Sequence, residues 1–315
     1  MAFVWCEPDR YVKLRGGLAM AASAEPVEDS RLVPCPKGPL LIASQLAGAE
    51  AGVRLSLVIP TLNEAKSLPA LVQQLRECLE PVLGEAYELI VVDDDSPDRT
   101  WAVALELLAS QPRLRVTRRR GERGLASAVV RGWQLARGSV LGVIDADLQH
   151  PPRTSLQLLA EIERGAELAV ASRHVAGGGV SDWSLRRRAL SRGAQLLGLL
   201  LLPGVLGRLS DPLSGYFMLR RCALSALGLD PLGYKILIEV LARGRFERIA
   251  EVGYTFRERF QLESKVTWRV YLQYVAHLLR LRSASLPFSQ SLRCAEPISI
   301  SSFSPKGGGL GAEKP

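Results

Sequence analysis

The sequence predicts an α/β fold built on a doubly wound, mostly parallel sheet, and three observations predict it. Short apolar runs of strand length alternate along the chain with stretches whose apolar residues recur at helical spacing. The runs are apolar throughout, as strands covered by helices on both faces must be. Three of them end in clusters of acidic or polar residues, at the edge where open α/β sheets bind ligands.

The elements follow in order. Residues 55–59 (LSLVI) make a buried strand ended by Pro60. Residues 66–79 carry Leu68, Leu71, Val72 and Leu75, the stripe of an amphipathic helix. Residues 88–92 (ELIVV) form a second strand, 100–110 a helix, 114–117 a third strand and 125–137 a helix. Residues 140–144 (VLGVI) form a fourth strand, 153–164 a helix and 168–171 (LAVA) a further strand. Residues 1–52, rich in Ala, Gly and Pro without sustained period, read as a disordered extension, and 283–315 as a disordered tail. The folded domain is expected over 53–282.

Composition narrows the function. With 47% apolar residues in 315, the core is easily supplied. A formal charge of +8, carried mostly by Arg, suggests anionic partners such as phosphates, nucleic acid or acidic lipid. The five cysteines are far apart and lack a C-x-x-C pair, which argues against a disulfide framework or zinc site and fits a reducing compartment. No uninterrupted apolar run reaches about 18 residues, so no transmembrane helix is expected. Glu7, Asp9 and Arg10 stand where a signal peptide needs an apolar core. A nicotinamide enzyme would need G-x-G-x-x-G after the first strand, where this chain has PTLNEA. Nucleic acid is not expected as a partner: the basic runs 118–120 and 186–188 lack interleaved aromatics, and such binding leaves the acids unexplained.

The acidic clusters are PTLNE at 60–64, DDDSPD at 93–98 and DADLQH at 145–150. Asp95 and Asp98 could serve only as helix caps. Three clusters at one edge are another matter, because gathering carboxylates without a cation is costly. Asp145 and Asp147, just past a strand, can converge on one cation, and hard oxygen donors suit Mg2+ or Mn2+. Such an ion bridging a diphosphate acts as a Lewis acid on the leaving group.

LSLVIPTLNEAKSL, ELIVVDDDSPDRT, GLASAVVRGWQLARG, VIDADLQHPP, ASRHVAGGGVSDWSLRRRALS, DPLSGYFMLRR, YKILIEVL and EVGYTFRERFQLESK succeed one another in this order. Together they resemble the family-2 glycosyltransferases, specifically the dolichol-phosphate mannosyltransferase (polyprenyl-phosphate glycosyltransferase) group, over roughly residues 53–270. The resemblance implies a GT-A fold, whose Rossmann-like sheet binds a nucleotide-sugar at its strand ends. By the same resemblance Pro60 and Glu64 match a nucleotide-contacting loop, and Asp94, with Asp93 beside it, the acid that contacts base or ribose. Asp145, Asp147 and Gln149 match the metal- and diphosphate-binding D-x-D-x-Q, with His150 ordering that loop. Arg173, Arg187 and Ser191 match positions that hold the lipid phosphate; Arg suits phosphate oxygens, and Ser191 lies one turn beyond Arg187. Lys235 and Arg259 match cationic contacts to the donor diphosphate, with Lys265 near them. Leu62 departs from the group's usual aromatic, which weakens base stacking there.

The activity so implied is inverting transfer of a hexose, mannose from GDP-mannose by preference, to a polyprenyl or dolichyl phosphate; a sibling using UDP-glucose or another acceptor is the alternative. The expected place is peripheral, on the cytoplasmic side of a membrane surface. Residues 189–206 and 268–281 are apolar stretches bordered by Arg that suit an interfacial position, with 189–206 a core helix in the plainer reading. Attachment through a membrane-anchoring partner protein is left open.

Overall fold

The computed structural model describes residues 30–43, 52–180, 185–224, 228–257 and 268–283, with backbone alone for 185–191 and 268–270. The chain divides into two compact units, Met1–Ser30 and Arg31–Pro315, and every described residue but Ser30 belongs to the second. Its elements run β1 (Leu55–Thr61), α1 (Leu68–Leu83), β2 (Tyr87–Asp93), α2 (Thr100–Leu107), β3 (Leu114–Arg118), α3 (Leu125–Leu135) and β4 (Val140–Val143). There follow α4 (Thr154–Glu163), β5 (Leu168–Ser172), β6 (Gly179–Val180), α5 (Leu185–Leu201), α6 (Pro203–Leu206) and β7 (Phe217–Arg220). The last are α7 (Ile236–Arg243), β8 (Ile249–Gly253), β9 (Thr255–Phe256) and α8 (Trp268–Ser283).

Seven strands form one sheet in the order β3-β2-β1-β4-β7-β5-β8. All pairings are parallel except those of β7, which runs antiparallel to β4 and β5. Strands β6 and β9 pair separately. This is the doubly wound α/β sheet read from the sequence. Alternate residues of β1 enter different cores: Val58 packs with Trp133 and Val129 of α3, Leu57 and Ile59 with Leu71 and Leu75 of α1. Gly132 makes the first contact possible, since a Cβ there would stand 2.5 Å from Val58 Cγ1. The helix α1 starts at Leu68 with Pro69 in its first turn, where a missing N–H costs nothing.

Several elements differ from the sequence reading. Strands β6 to β9 and helix α7 were not anticipated; β6 and β9 have two residues each, too short for a period to show. The apolar stretch 189–206 is two helices, broken where Pro203 opens a new first turn. Cys35 and Cys78 are free, but Cys222 is disulfide-bonded, which the wide spacing did not suggest.

The expected disordered extension over 1–52 is corrected for residues 30–43, which are a strap on the domain. Val33 N–H donates to Val116 O of the edge strand β3 at 2.8 Å. Arg131 of α3 holds Gly38 O at 2.9 Å, and Gln134 holds Pro39 O and Leu41 O. Leu229 N–H donates to Leu40 O, and Ile42 is fully buried. Ala, Gly and Pro hide such a segment from periodicity because its backbone, not a side-chain face, makes the contacts.

Candidate active site

The carboxyl ends of β1, β2 and β4 form one edge, and the predicted acids stand there. Pro60 fits inside β1 because its ladder with β4 ends at Val58–Val143, so the missing N–H breaks no strand bond. Beyond it Asn63 and Asp95 take left-handed backbone (φ 55° and 54°), which short polar side chains tolerate. Glu64 is buried: its Oε2 accepts Ser67 Oγ at 2.8 Å, and its N–H donates to Thr100 Oγ1 at 2.9 Å.

Asp93 and Asp94 both turn inward. Asp93 accepts Thr61 Oγ1 at 2.8 Å, and Ser96 through both Oγ at 2.6 Å and N–H at 2.9 Å. Burial pushes its carboxyl above the usual range even against these bonds. It is a latch between the first two loops. Asp94 accepts Arg119 Nε at 2.6 Å on one oxygen and Gly124 N–H at 2.7 Å on the other. Burial raises its pKa too, with Arg119 opposing. Arg119, itself fully buried, also donates to Ser127 Oγ at 3.0 Å and Gly124 O at 2.9 Å. Asp94 therefore ties the start of α3 to the sheet edge.

Past β4 the loop holds Asp145, Asp147, Gln149 and His150. Leu148 between them has φ 62°, a strained value for a branched side chain, and the turn brings Gln149 N–H to 3.2 Å from Asp147 Oδ1. Gln149, expected as a third ligand, has its amide nitrogen engaged. It is buried, its Nε2 donates to Arg257 O at 2.9 Å, and Arg257 N–H donates to Gln149 O at 3.0 Å. It braces the exit of β9. Among the described residues no group of three His, Cys, Asp or Glu side chains converges; the carboxylate donors of this loop are Asp145 and Asp147. Asp145 Oδ1 is buried with no hydrogen-bond partner, a position that costs about 1–3 kcal/mol unless a ligand satisfies it. Gly215 leaves room beside it, since a Cβ there would stand 2.9 Å from Asp145 Oδ2. Two hard oxygen donors fit Mg2+ or Mn2+, which keep sites for water and phosphate oxygens. His150 Nε2 lies 3.4 Å from Asp145 Oδ2, its ring enclosed by Tyr216, Tyr254 and Phe256 at centroid distances of 5.1 to 5.4 Å.

Of the basic residues, Arg173 and Lys235 reach the same region. Arg173 is bidentate to Asp211, Nε to Oδ2 at 2.6 Å and Nη2 to Oδ1 at 2.7 Å, and its backbone N–H adds 3.1 Å. Burial alone would raise the Asp211 pKa, but the hydrogen bonds and charge of Arg173 outweigh it and hold the carboxyl below its usual range. Lys235, just before α7, donates from Nζ to Leu213 O at 2.7 Å and lies 4.7 Å from the Tyr234 ring centroid. Burial, and then the nearby Arg173 charge, push its pKa down to about 8, against the pull of Asp145 and Asp211. Arg187 and Ser191 lie on α5, where only the backbone is described; Arg259 and Lys265 lie outside the described residues. Sequence reasoning missed Asp211 and Arg119 as partners of the site acids and bases. The signal for Asp211 was present, as it opens the quoted DPLSGYF segment.

This edge, with its buried acids, the Asp145–Asp147 pair and the nearby Arg173 and Lys235, sits on a GT-A fold, and residues 56–228 match the domain of glycosyl transferase family 2. The chain belongs to that family and is a glycosyltransferase. It is 42% identical over 229 residues to the dolichol-phosphate mannosyltransferase of Pyrococcus furiosus, a match covering 73% of this chain and 64% of that protein's length. To the dolichol-phosphate mannosyltransferase of Saccharomyces cerevisiae it is 34% identical, covering 73% of this chain and 87% of the relative. Polyprenol monophosphomannose synthase of Mycolicibacterium smegmatis is 38% identical, with 65% and 78% covered. Among solved structures, glucosyl-3-phosphoglycerate synthase of Mycobacterium tuberculosis, in complex with Mn2+, UDP-glucose and phosphoglyceric acid, superposes with a TM-score of 0.58 at 23% identity. That match covers 80% of this chain and 88% of the other, and speaks to the fold.

Proposed function

We propose that this enzyme transfers a mannosyl group from a nucleoside-diphosphate mannose, GDP-mannose by preference, to a polyprenyl or dolichyl phosphate at a lipid surface, with inversion at the anomeric carbon. The observation that carries the metal-and-diphosphate part is the buried, unpartnered Asp145 Oδ1 beside Asp147, at the sheet edge and within the electrostatic reach of Lys235. The names of relatives from an archaeon, a yeast and an actinobacterium support the sugar and the acceptor. Asp145 and Asp147 would hold Mg2+ or Mn2+, which when bound neutralises charge on the departing diphosphate.

The chain's own residues then have limited tasks. An acceptor phosphate monoester, with a second pKa near 6, is already anionic at neutral pH, so no general base is needed. It attacks the anomeric carbon as the diphosphate leaves, which inverts that centre. Lys235, held on Leu213 O, faces the leaving diphosphate, and Arg259 has the matching role in the sequence. Arg173, fixed by Asp211, together with Arg187 and Ser191 on α5, would hold the acceptor phosphate. The geometry asks for alignment of two anions rather than proton transfer.

The lipid side is supported by α5 and α8. Both helices leave leucines exposed, Leu196 and Leu200 on one, Leu272 and Leu279 on the other. They pack together through Tyr274, whose hydroxyl donates to Ala194 O at 2.7 Å. Basic residues lie near this stripe, with Arg280 and Arg282 in the last turn of α8. Among the described residues no helix is long and apolar enough to cross a membrane.

The test is turnover by purified protein with a prenyl phosphate, Mn2+ or Mg2+, and labelled GDP- and UDP-sugars. Label entering the lipid from GDP-mannose, abolished by a chelator, is the expected result. Labelling from UDP-glucose alone would transfer the reading to a glucosyltransferase, and no labelling from any donor would overturn it.

A further inference from the structure

Away from the reacting groups, α7 and α8 share a buried polar pair that the transfer reaction does not use. His277 Nε2 lies 2.8 Å from Glu239 Oε2, and both side chains are fully buried. Glu239 Oε1 accepts the backbone N–H of Asp230 at 2.7 Å and also the guanidinium of Arg243. A carboxylate so paired only accepts, so the proton of a neutral imidazole sits on Nε2. His277 Nδ1 is left buried without a partner. An apolar pair would fill the same space at no such cost, so the arrangement points to a positional task.

Its connections identify the task. Glu239 holds Asp230, which begins the segment 230–235, and Lys235 ends that segment at the threshold of α7. Gly233 O, midway, accepts Ala126 N–H of α3, next to the Gly124 that binds Asp94. On the other side α8 touches the segment twice and α7 once, along one flank. Gln273 lies against Gly233, His277 meets Glu239, and Arg280 pairs with Asp230. The residues are spaced i, i+4, i+7, as one side of a helix requires. The opposite side of α8 presents Leu272 and Leu279.

The structure assigns Glu239 and His277 a positioning role: they clasp α8 to α7 and the segment 230–235, so that seating the outer leucines of α8 on an anionic lipid surface stabilises the segment that ends in Lys235. The hold of Lys235 on Leu213 O is then firmest when the enzyme is at the surface that carries its acceptor. The inference rests on the lipid-phosphate reading of the site, and the partner it takes is an anionic lipid surface, matched to the exposed cation Arg282 in the last turn of α8.

The test uses the full chain, with His277→Leu, which removes the donor, and His277→Gln, which keeps an amide donor at a similar reach. Amide hydrogen exchange over residues 230–238 is measured with and without vesicles of phosphatidylcholine and phosphatidylglycerol, and vesicle binding is measured by sedimentation. In the wild type and His277→Gln, vesicles are expected to slow exchange there by about tenfold or more, the change for 1.4 kcal/mol of added local stability. In His277→Leu binding is retained and the slowing lost. Exchange that does not respond to bound vesicles in the wild type overturns the inference, and so does equal behaviour of the two variants. Turnover of a short-chain prenyl phosphate on the same vesicles is the second readout, with kcat raised by vesicles only where exchange slows. Protection without any sugar transfer would overturn the proposed reaction while leaving the clasp standing.

Discussion

Asp145 and Lys235 are the two residues whose surroundings make the sharpest statements about chemistry. A carboxylate oxygen buried without a partner is a site waiting for charge. Asp145→Asn removes the charge and keeps the shape. It is expected to lower kcat on the order of 100-fold or more at a fixed metal concentration, since several kcal/mol of leaving-group stabilisation depend on it. Its thermal midpoint should stay unchanged or rise, because the buried charge is relieved; steady-state kinetics beside a melting curve check both. Lys235 makes a statement about pH. Burial, then Arg173, lower its pKa to about 8, so its charge is present below that value and lost as pH rises through it. The kcat/KM for the donor should fall along an alkaline limb near pH 8. The limb in kcat should lie higher, because a bound diphosphate favours the charged amine. Lys235→Arg should remove the limb, and a limb that survives would assign the ionisation elsewhere.

The elements show how backbone contacts carry position where side chains cannot. The strap at 30–43 covers the outer edge of β3 at Val116, crosses the C-terminal half of α3 through Arg131 and Gln134, and reaches Leu229, ahead of the segment that ends in Lys235. Removing residues 1–43 bares a strand edge and leaves Arg131, which also pairs with Glu122, short of one acceptor. The truncated chain is expected to unfold several degrees lower, for a loss of about 1–3 kcal/mol. It should also associate with itself at concentrations where the full chain does not. Calorimetry and light scattering test the two consequences separately. The Gln149–Arg257 bridge works in the same manner, fixing the backbone at the point where β9 ends.

Over the whole molecule the two ends of the chemistry lie on different parts of the sheet. In the proposed reaction the nucleotide would lie at the β1, β2 and β4 loops and the lipid at α5 and α8, with the Arg173–Asp211 pair and the Lys235 segment serving both. Replacing Leu196, Leu200, Leu272 and Leu279 together by Ser should leave turnover of a water-soluble prenyl phosphate within about threefold. Each exposed leucine contributes about 1.5–3 kcal/mol only when it is buried in lipid. Binding to anionic vesicles should fall at least tenfold, measured by sedimentation, with no change in the melting curve.

The sequence by itself determined the first five strands, the helices between them and the edge at which the acids collect, because period and strand ends are local properties of the chain. It also carried Asp145 and Asp147 as a pair, since two residues two positions apart after a strand cannot be far separated. Only the tertiary structure decided which partners the charged groups take. Arg119 comes to Asp94, Asp211 to Arg173 and His277 to Glu239 across 25, 38 and 38 positions of chain, and the Gln149 side-chain amide donates to Arg257 O. No local spacing encodes such meetings. They depend on the strand crossovers and on which buried groups can find a satisfied hydrogen bond, so the first five strands of the sheet were legible in the sequence while β7, β8 and the wiring of the active edge were not.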